Sequence, residues 1–133
     1  MATNGYSPAT DGVPGKHGPI PTLVYVCEPD SATAEQLADL CRIHAAHRAW
    51  WVVDTVIEAT PDAPLQHREG WQRVKAALAR GSVDIVITWS PVSVAAGLAE
   101  FQVLQAEFRV NEAVLVAVTG IPDPPPPQHS PAD

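Results

Sequence analysis

The feature that most constrains the fold is an alternation of short apolar runs with segments of helical periodicity. Four runs have the length and the β-branched content of strands, and they occupy residues 23–27, 50–57, 83–88 and 113–118. Such alternation is typical of parallel strands joined by right-handed helical crossovers. We therefore predict an α/β fold, a three-layer sandwich around a mainly parallel sheet of about four to five strands.

Three helices are predicted between these strands. Thr33 and Gln36 form a capping-box pair at the start of the first helix, and Ser31 just before it is interpreted as a cap or turn residue. The second helix ends at Gly81, a residue that readily adopts the left-handed conformation found after helix ends. The third helix is predicted to run from about Val92 to Arg109.

The two ends of the chain differ in composition from its centre. Residues 1–21 are rich in Gly and Pro and are interpreted as a flexible arm, because they bury too little apolar surface to offset ordering entropy. Residues 120–133 contain the run Pro124–Pro127 and are interpreted as a disordered tail. The alternative, a polyproline ligand for an aromatic groove, is disfavoured because no flanking Arg or Lys orients it. One domain, residues 22–119, remains between them.

The charge balance argues against a nucleic-acid partner. The formal charge is −7 and the isoelectric point is about 5.0, and eight Lys and Arg residues are scattered along the chain. DNA-binding domains usually present a basic patch. No apolar run reaches the roughly 18 residues that a membrane span needs. Cys27 and Cys41 indicate buried thiols in a reducing compartment, so we expect a cytoplasmic protein without metal or cofactor.

The order of short motifs resembles the catalytic domain of serine recombinases, the resolvase and invertase family. Tyr25 ends the first strand, a long helix with Gln36 follows, and the second strand carries Asp54. Arg68-Glu69-Gly70 matches the family's Arg-x-Gly at a helix start. Ala79–Ile87 matches its Gly-x-x-Asp followed by an apolar strand. The resemblance spans residues 23–118 and implies a resolvase-like fold.

The same comparison shows which catalytic residues are missing. Where the family has Tyr-x-Arg-x-Ser, this chain has Tyr25, Cys27 and Pro29, so that neither the arginine nor the nucleophilic serine is present. The family's arginine-rich run after the third strand corresponds to Trp89–Ala96, which contains no Arg or Asp. Only Arg68 remains of the catalytic arginines. The resemblance therefore implies a pseudoenzyme without recombinase activity.

Other candidate chemistry in the sequence is weak. Ser90 and Ser93 have no neighbouring base to activate them. Cys41, His44 and His47 are three residues apart on a helix, but the outer two point about 240° apart, so the three cannot share one metal ion.

Two further groups of polar residues occur near the end of the second strand. His67 and Arg68 at a helix start could bind an anion, although the carboxylate of Glu69 already complements the helix dipole. Asp54 and Glu58 are interpreted as solvated charges rather than a carboxylate pair.

The third helix is the strongest sequence indication of function, because it is apolar around much of its circumference. A helix covering one sheet face needs an apolar stripe of only about 100°. The excess indicates either a protein interface or a helix buried on two sides. The interface candidates are Val94, Leu98, Phe101, Leu104 and Phe108.

We therefore expect a non-catalytic domain that acts through protein contacts, as a homodimer or a regulatory partner. Two alternatives remain open. One is a small-molecule-binding or enzymatic domain that uses the strand-end crevice around Cys27, Asp54 and Trp89. The other is an accessory subunit in DNA recombination, although the family's DNA-binding module has no counterpart before the proline-rich end.

Overall fold

The computed structural model describes residues 19–120 and contains one four-stranded parallel sheet, in which the second strand of the chain lies at one edge and is followed by the first, the third and the fourth. The prediction of an α/β fold with a parallel sheet of four to five strands is confirmed. The elements in chain order are β1 (Ile20–Cys27), α1 (Ser31–His47), β2 (Trp50–Glu58), α2 (Glu69–Arg80), β3 (Ile85–Thr88), α3 (Leu98–Val110) and β4 (Val114–Ala117), with 3-10 turns at Leu65–His67 and Pro91–Ser93.

The sheet separates two apolar cores, as expected for strands covered on both faces. Successive side chains of a strand point to opposite faces, so Tyr25 and Val24 of β1 belong to different cores. Helices α2 and α3 cover the Tyr25 face, where Trp71, Phe101 and Phe108 are the large buried aromatic residues. Helix α1 covers the Val24 face with the small side chains of Ala34, Ala38 and Cys41.

The N-terminal end of the described region differs from the sequence prediction. Strand β1 begins at Ile20, so residues 20 and 21, assigned to the arm, form part of the sheet. The remainder of the arm, residues 1–18, and the tail from residue 121 lie outside the described residues. Within residues 19–120, no helix combines the length and the apolar character needed to cross a bilayer.

Helix α1 is capped differently from the prediction. Asp30 is the N-cap residue, and its carboxylate accepts hydrogen bonds from the Thr33 amide at 2.8 Å and the Thr33 hydroxyl at 2.7 Å. Ser31 is therefore the first helical residue and not the cap, and Gln36 takes no part. A carboxylate at this position satisfies a free amide and also complements the helix dipole.

Helix α3 begins six residues later than the sequence pattern predicted. The Ser90 hydroxyl accepts from the Val92 amide at 3.3 Å and opens a 3-10 turn at Pro91–Ser93. The chain then leaves helical geometry, and Gly97 is extended before α3 starts at Leu98. The prediction for the end of α2 is confirmed, since Gly81 is left-handed with φ 73°.

Candidate functional site

The carboxyl ends of the parallel strands meet at one edge of the sheet, which is where open α/β folds place their ligands. Three polar side chains form a connected network there: Tyr25 from β1, Glu58 from the end of β2, and Arg68 from the residue before α2. All three are buried, with exposed fractions of 0 % for Tyr25, 8 % for Glu58 and 7 % for Arg68.

Glu58 places its carboxylate against the beginning of α2. It accepts hydrogen bonds from the Tyr25 hydroxyl at 2.7 Å, the Gly70 amide at 2.9 Å and the Trp71 amide at 3.1 Å. These amides are the second and third of the helix, which an N-cap side chain usually satisfies. The N-cap residue Arg68 makes no such bond. A carboxylate of the chain therefore occupies the position where a helix start would hold an anion.

The close approach of Glu58 depends on the glycine of the Arg-Glu-Gly motif. A Cβ atom at Gly70 would lie 2.6 Å from Oε1 of Glu58 and 2.7 Å from Cγ1 of Val56. Both distances are far below van der Waals contact, so any larger residue would displace the carboxylate from the two amides. The glycine thus allows this internal cap to form.

Arg68 directs its guanidinium group at the protein itself. Its Nε donates to the Ala63 carbonyl at 2.9 Å, and its Nη2 donates to the Pro61 carbonyl at 2.9 Å. Its Nη1 donates to the Ser93 carbonyl at 2.6 Å and lies 3.4 Å from the Tyr25 hydroxyl. Three carbonyl contacts of the arginine therefore tie the loop before α2 to the turn after β3, and a fourth contact reaches Tyr25 on β1.

Burial raises the pKa of the Tyr25 phenol far above its usual range. The hydrogen bond from Arg68 opposes this shift, while the nearby Glu58 carboxylate adds to it. The Tyr25 ring also packs edge-to-face on Trp71, with centroids 5.2 Å apart. Tyr25 is thus a neutral hydrogen-bond donor within the core.

The positions that the resemblance aligns with the family's arginine and serine hold a cysteine, Cys27, and a proline, Pro29. Cys27 is half-buried, and desolvation raises the pKa of its thiol, an effect that Glu58 and Glu28 reinforce and Arg68 only partly offsets. A protonated thiol is a poor nucleophile. Pro29 is exposed. Trp89 is half-buried and packs against the core beneath α1.

The charges of this edge are unfavourable for a phosphate. The segments that follow the strands, residues 27–31, 58–68, 88–97 and 117–120, contain Arg68 as their only Lys or Arg. The same segments contain four carboxylates, those of Glu28, Asp30, Glu58 and Asp62. An arriving polyanion would therefore meet net negative charge at the sheet edge.

Several predicted arrangements are not formed. The interpretation of Glu58 as a solvated charge is wrong, because the side chain is buried and accepts three hydrogen bonds. Asp54 lies in the middle of β2, away from the strand-end crevice, and pairs with Arg73 at 3.1 Å. The alternative of an anion site at His67 and Arg68, which Glu69 already disfavoured, meets the Glu58 carboxylate on the Gly70 and Trp71 amides.

Cys41, His44 and His47 on α1 do not form a common site either. Cys41 is fully buried, and burial raises its pKa to about 12. His44 is half-buried with a lowered pKa, caused first by desolvation and then by the charges of Arg48 and His47. Within residues 19–120, no three His, Cys, Asp or Glu side chains are grouped as a metal site would require.

Sequence reasoning missed the role of Glu58, although one signal pointed to it. Val56 and Glu58 are two residues apart on one strand, so they share a sheet face, and Val56 is apolar and buried. Glu58 therefore lies on the buried face of its strand, and the next helix has Gly70 at its second position. Together these two features indicate that the carboxylate caps the helix from within the core.

The interface candidates predicted for the third helix divide into two groups, and Val94 lies before α3 in the turn that follows Pro91–Ser93. Val94, Phe101 and Phe108 are at most 5 % exposed and belong to the core, so the interpretation of deeper burial applies to them and they form no exposed surface. Leu98 is 40 % exposed and Leu104 is half-buried.

The surface beside α3 contains a continuous groove. Two cavities of about 430 and 460 Å³ lie along the helix and share four lining residues, which are Leu65, Gln66, Leu104 and Glu107. Trp71 and Phe108 line one cavity. The 60 % exposed Val103 lines the other. The groove therefore combines apolar walls with exposed apolar residues at its border.

The fold is that of serine recombinase catalytic domains. The C-terminal catalytic domain of ISC1926 TnpA, an IS607-like serine recombinase, superimposes with a TM-score of 0.65 and 17 % identity, covering 76 % of this chain and 72 % of that one. The N-terminal catalytic domain of TP901-1 integrase gives 0.64 at 17 % identity, with coverages of 74 % and 77 %. The first open reading frame of transposon ISC1904 from Sulfolobus solfataricus P2 gives 0.57 at 11 % identity, with coverages of 78 % and 71 %.

The comparison confirms the resemblance that the motif order predicted, at the level of the fold. No family model matches the chain, and no curated protein matches it. Identities of 11–17 % establish the architecture and not the activity. Function must therefore be argued from the site itself.

Proposed function

We propose that this chain is a non-catalytic domain with a recombinase fold that acts through protein contacts, as a homodimer or as the regulatory partner of another protein. The observation that carries the proposal is the state of the carboxyl edge. Its single arginine binds carbonyl groups of the chain, and its helix-start amides bind the Glu58 carboxylate.

Phosphodiester cleavage by a serine builds negative charge on the non-bridging oxygens. Preorganised donors stabilise that charge, and the loss of one typically costs a factor of about 10²–10³ in rate. Here proline stands in the position of the nucleophile, and cysteine stands in the position of a first arginine. The remaining Arg68 is buried and engaged. These substitutions support a role without strand cleavage.

The groove beside α3 is the surface that best suits a protein partner. Val103 lines this groove and exposes 60 % of its surface beside the half-buried Leu104, and Leu98 at the start of the same helix is 40 % exposed. Apolar side chains at the border of a groove are typical of interaction sites. The carboxylate of Glu107 lies in the shared part of the groove, so a partner with a basic group beside its apolar contact would fit.

The first test asks whether the protein cleaves or binds DNA. Purified chain is incubated with supercoiled plasmid, and gel shifts are run on short duplexes at low salt, where electrostatic binding is strongest. We expect neither nicking nor a shift. Nicking that is lost in Arg68→Ala would overturn the proposal, whereas a shift without nicking would favour the alternative of an accessory subunit on DNA.

The second test asks whether the α3 surface mediates association. Light scattering during size-exclusion chromatography should report a dimer for the natural chain and a monomer for Leu98→Asp combined with Val103→Asp. Ile43→Asp is the matched control, because Ile43 is 52 % exposed and lies on α1, which covers the opposite face of the sheet. A chain that is monomeric at all concentrations, and that captures no partner through Leu98 and Val103, would contradict the proposal.

A further inference from the structure

The groove beside α3 includes a cavity of about 430 Å³ between α2 and α3. Small-molecule sites in proteins usually measure about 300–1,000 Å³, so this cavity has the size of a ligand site. The residues that line it from the two helices are three or four positions apart and therefore share one face of each helix. They are Trp71, Lys75 and Leu78 on α2, and Leu104, Glu107 and Phe108 on α3.

The apolar walls of this cavity belong to the core of the protein. Trp71 and Phe108 are 4 % and 5 % exposed, and their ring centroids lie 6.1 Å apart with the planes tilted by 38°. Leu78 and Leu104 are half-buried against the same core. Aromatic rings prefer offset or edge-to-face contacts at such distances. The cavity therefore offers a preformed surface for a further ring or a large aliphatic group.

Two opposite charges border these walls. Lys75 on α2 and Glu107 on α3 both line the cavity, and both are exposed. Among residues 19–120 they form no ion pair with each other or with another side chain. Arg73, two positions from Lys75, differs in this respect because it pairs with Asp54. An ammonium group and a carboxylate are thus both available to a molecule in the cavity.

We propose that this cavity binds a small zwitterion with an apolar body, a molecule of the class of the free aromatic amino acids. The ring of the ligand packs against Trp71 and Phe108. The carboxylate of the ligand accepts from the Lys75 ammonium, and its own ammonium donates to the Glu107 carboxylate, so that both are charge-assisted hydrogen bonds. A phosphate ester would be repelled by Glu107, and an uncharged molecule would leave both charged side chains without a partner.

This inference goes beyond the proposed function and does not rest on it. The proposed partner contact uses Leu98 and Val103, and neither residue lines this cavity. The combined variant Leu98→Asp and Val103→Asp should therefore abolish association and leave ligand binding unchanged. A monomeric chain that binds the ligand would contradict the partner contact alone, whereas a dimer that binds no ligand would contradict the present proposal alone.

The first experiment is a titration followed by NMR. The full chain, labelled with ¹³C and ¹⁵N, is titrated with L-phenylalanine up to about 10 mM, which suffices to detect dissociation constants in the millimolar range. We expect saturable shifts of the signals of Trp71, Leu78 and Leu104. The signals of Ala38 and Val116 are the internal control and should not shift, because these residues lie on the opposite face of the sheet. Absence of saturable shifts would overturn the proposal.

Three analogues test whether both charges of the ligand are recognised. Hydrocinnamate lacks the ammonium group, phenylethylamine lacks the carboxylate, and N-acetyl-phenylalanine amide carries neither charge. Each should bind about tenfold more weakly than L-phenylalanine or worse, since a hydrogen bond to a charged group typically contributes a factor of about ten or more. Equal binding of the uncharged analogue would overturn the proposal, because the cavity would then recognise the apolar body alone.

Two variants test the charges of the protein. Lys75 and Glu107 are exposed, so Lys75→Gln and Glu107→Gln should leave the fold intact. Each should raise the dissociation constant for L-phenylalanine about tenfold. Arg73→Gln is the matched control, because Arg73 is an exposed cation of the same helix that does not line the cavity, and it should leave the constant unchanged. Equal constants for Lys75→Gln, Glu107→Gln and Arg73→Gln would overturn the proposal.

Discussion

Strand β2 carries two carboxylates that the structure treats in opposite ways. Asp54 and Glu58 are four residues apart and face the same side of the sheet, where α2 packs. Asp54 pairs with Arg73 in solvent, with 45 % of the Asp54 side chain and 59 % of the Arg73 side chain exposed. Glu58 is buried and bonded to a phenol and two amides.

The difference shows that the location of an acidic residue, and not its charge alone, determines how much it contributes to stability. A buried carboxylate with every partner in place is costly to disturb, because each partner is left without a bond in an apolar environment. An exposed ion pair can be replaced by water on both sides. The carboxyl edge is thus a stabilising structure, and the middle of β2 is ordinary surface.

The largest effect is expected for Glu58→Ala, which leaves the Tyr25 hydroxyl and the Gly70 and Trp71 amides without their acceptor. The free energy of unfolding should fall by about 3 kcal/mol, since an unsatisfied buried polar group costs roughly 1–3 kcal/mol. Urea unfolding followed by circular dichroism measures the change.

Asp62→Ala removes an exposed acid from the following loop and is the matched control. It should change the free energy of unfolding by less than about 0.5 kcal/mol. If Glu58→Ala is equally mild, the network does not stabilise the edge and the contrast with Asp54 disappears.

Tyr25→Phe should have a smaller effect and a distinctive pH dependence. It removes the hydrogen bond to Glu58 and the longer one from Arg68 while keeping the ring contact with Trp71, so about 1–2 kcal/mol should be lost at neutral pH. The folded-state pKa of Tyr25 is raised above that of the unfolded chain, mainly by desolvation. The neutral phenol is therefore favoured by folding, and stability from this source is complete below pH 10 and lost as the pH rises above it.

The measurement is the free energy of unfolding between pH 8 and pH 11, compared between the two proteins. Above about pH 10 the natural chain should lose up to about 1.4 kcal/mol per pH unit more than Tyr25→Phe. Parallel curves for the two proteins would show that the Tyr25 phenol ionises in the folded state as readily as in the unfolded chain.

The sequence predicted the fold well because strand length, apolar content and alternation with helices are local properties. The four strands lie within a few residues of their predicted positions, and Gly81 ends α2 as expected. The start of α3 was not predictable from periodicity alone. The apolar pattern continues through Val92 and Val94, whereas the Ser90 cap and Pro91 form a separate turn there.

The site was harder to predict because its bonds join distant parts of the chain. Glu58 meets a strand residue 33 positions earlier and a helix 12 positions later. A helix that is apolar on all sides gives the same sequence signal whether it is buried or exposed. Phe101 and Phe108 proved to be core residues, and the neighbouring Val103 is exposed. The packing of α3 against α2 and the sheet determines which of its apolar residues are buried, and this packing cannot be derived from the periodicity of α3.

The smallest effect is expected for the exposed pair, and it completes the contrast within β2. Asp54→Ala and Arg73→Ala should each change the free energy of unfolding by less than about 1 kcal/mol. Their coupling in a double-mutant cycle should be about 0.2–1 kcal/mol. Raising the salt concentration from 0.05 M to 1 M should reduce that coupling, because the Debye length falls to about 3 Å. A matching cycle between Tyr25→Phe and Glu58→Ala should be larger and insensitive to salt, since those atoms lie away from solvent. Equal couplings in the two cycles would mean that the carboxyl edge is no more constrained than the open surface of the strand.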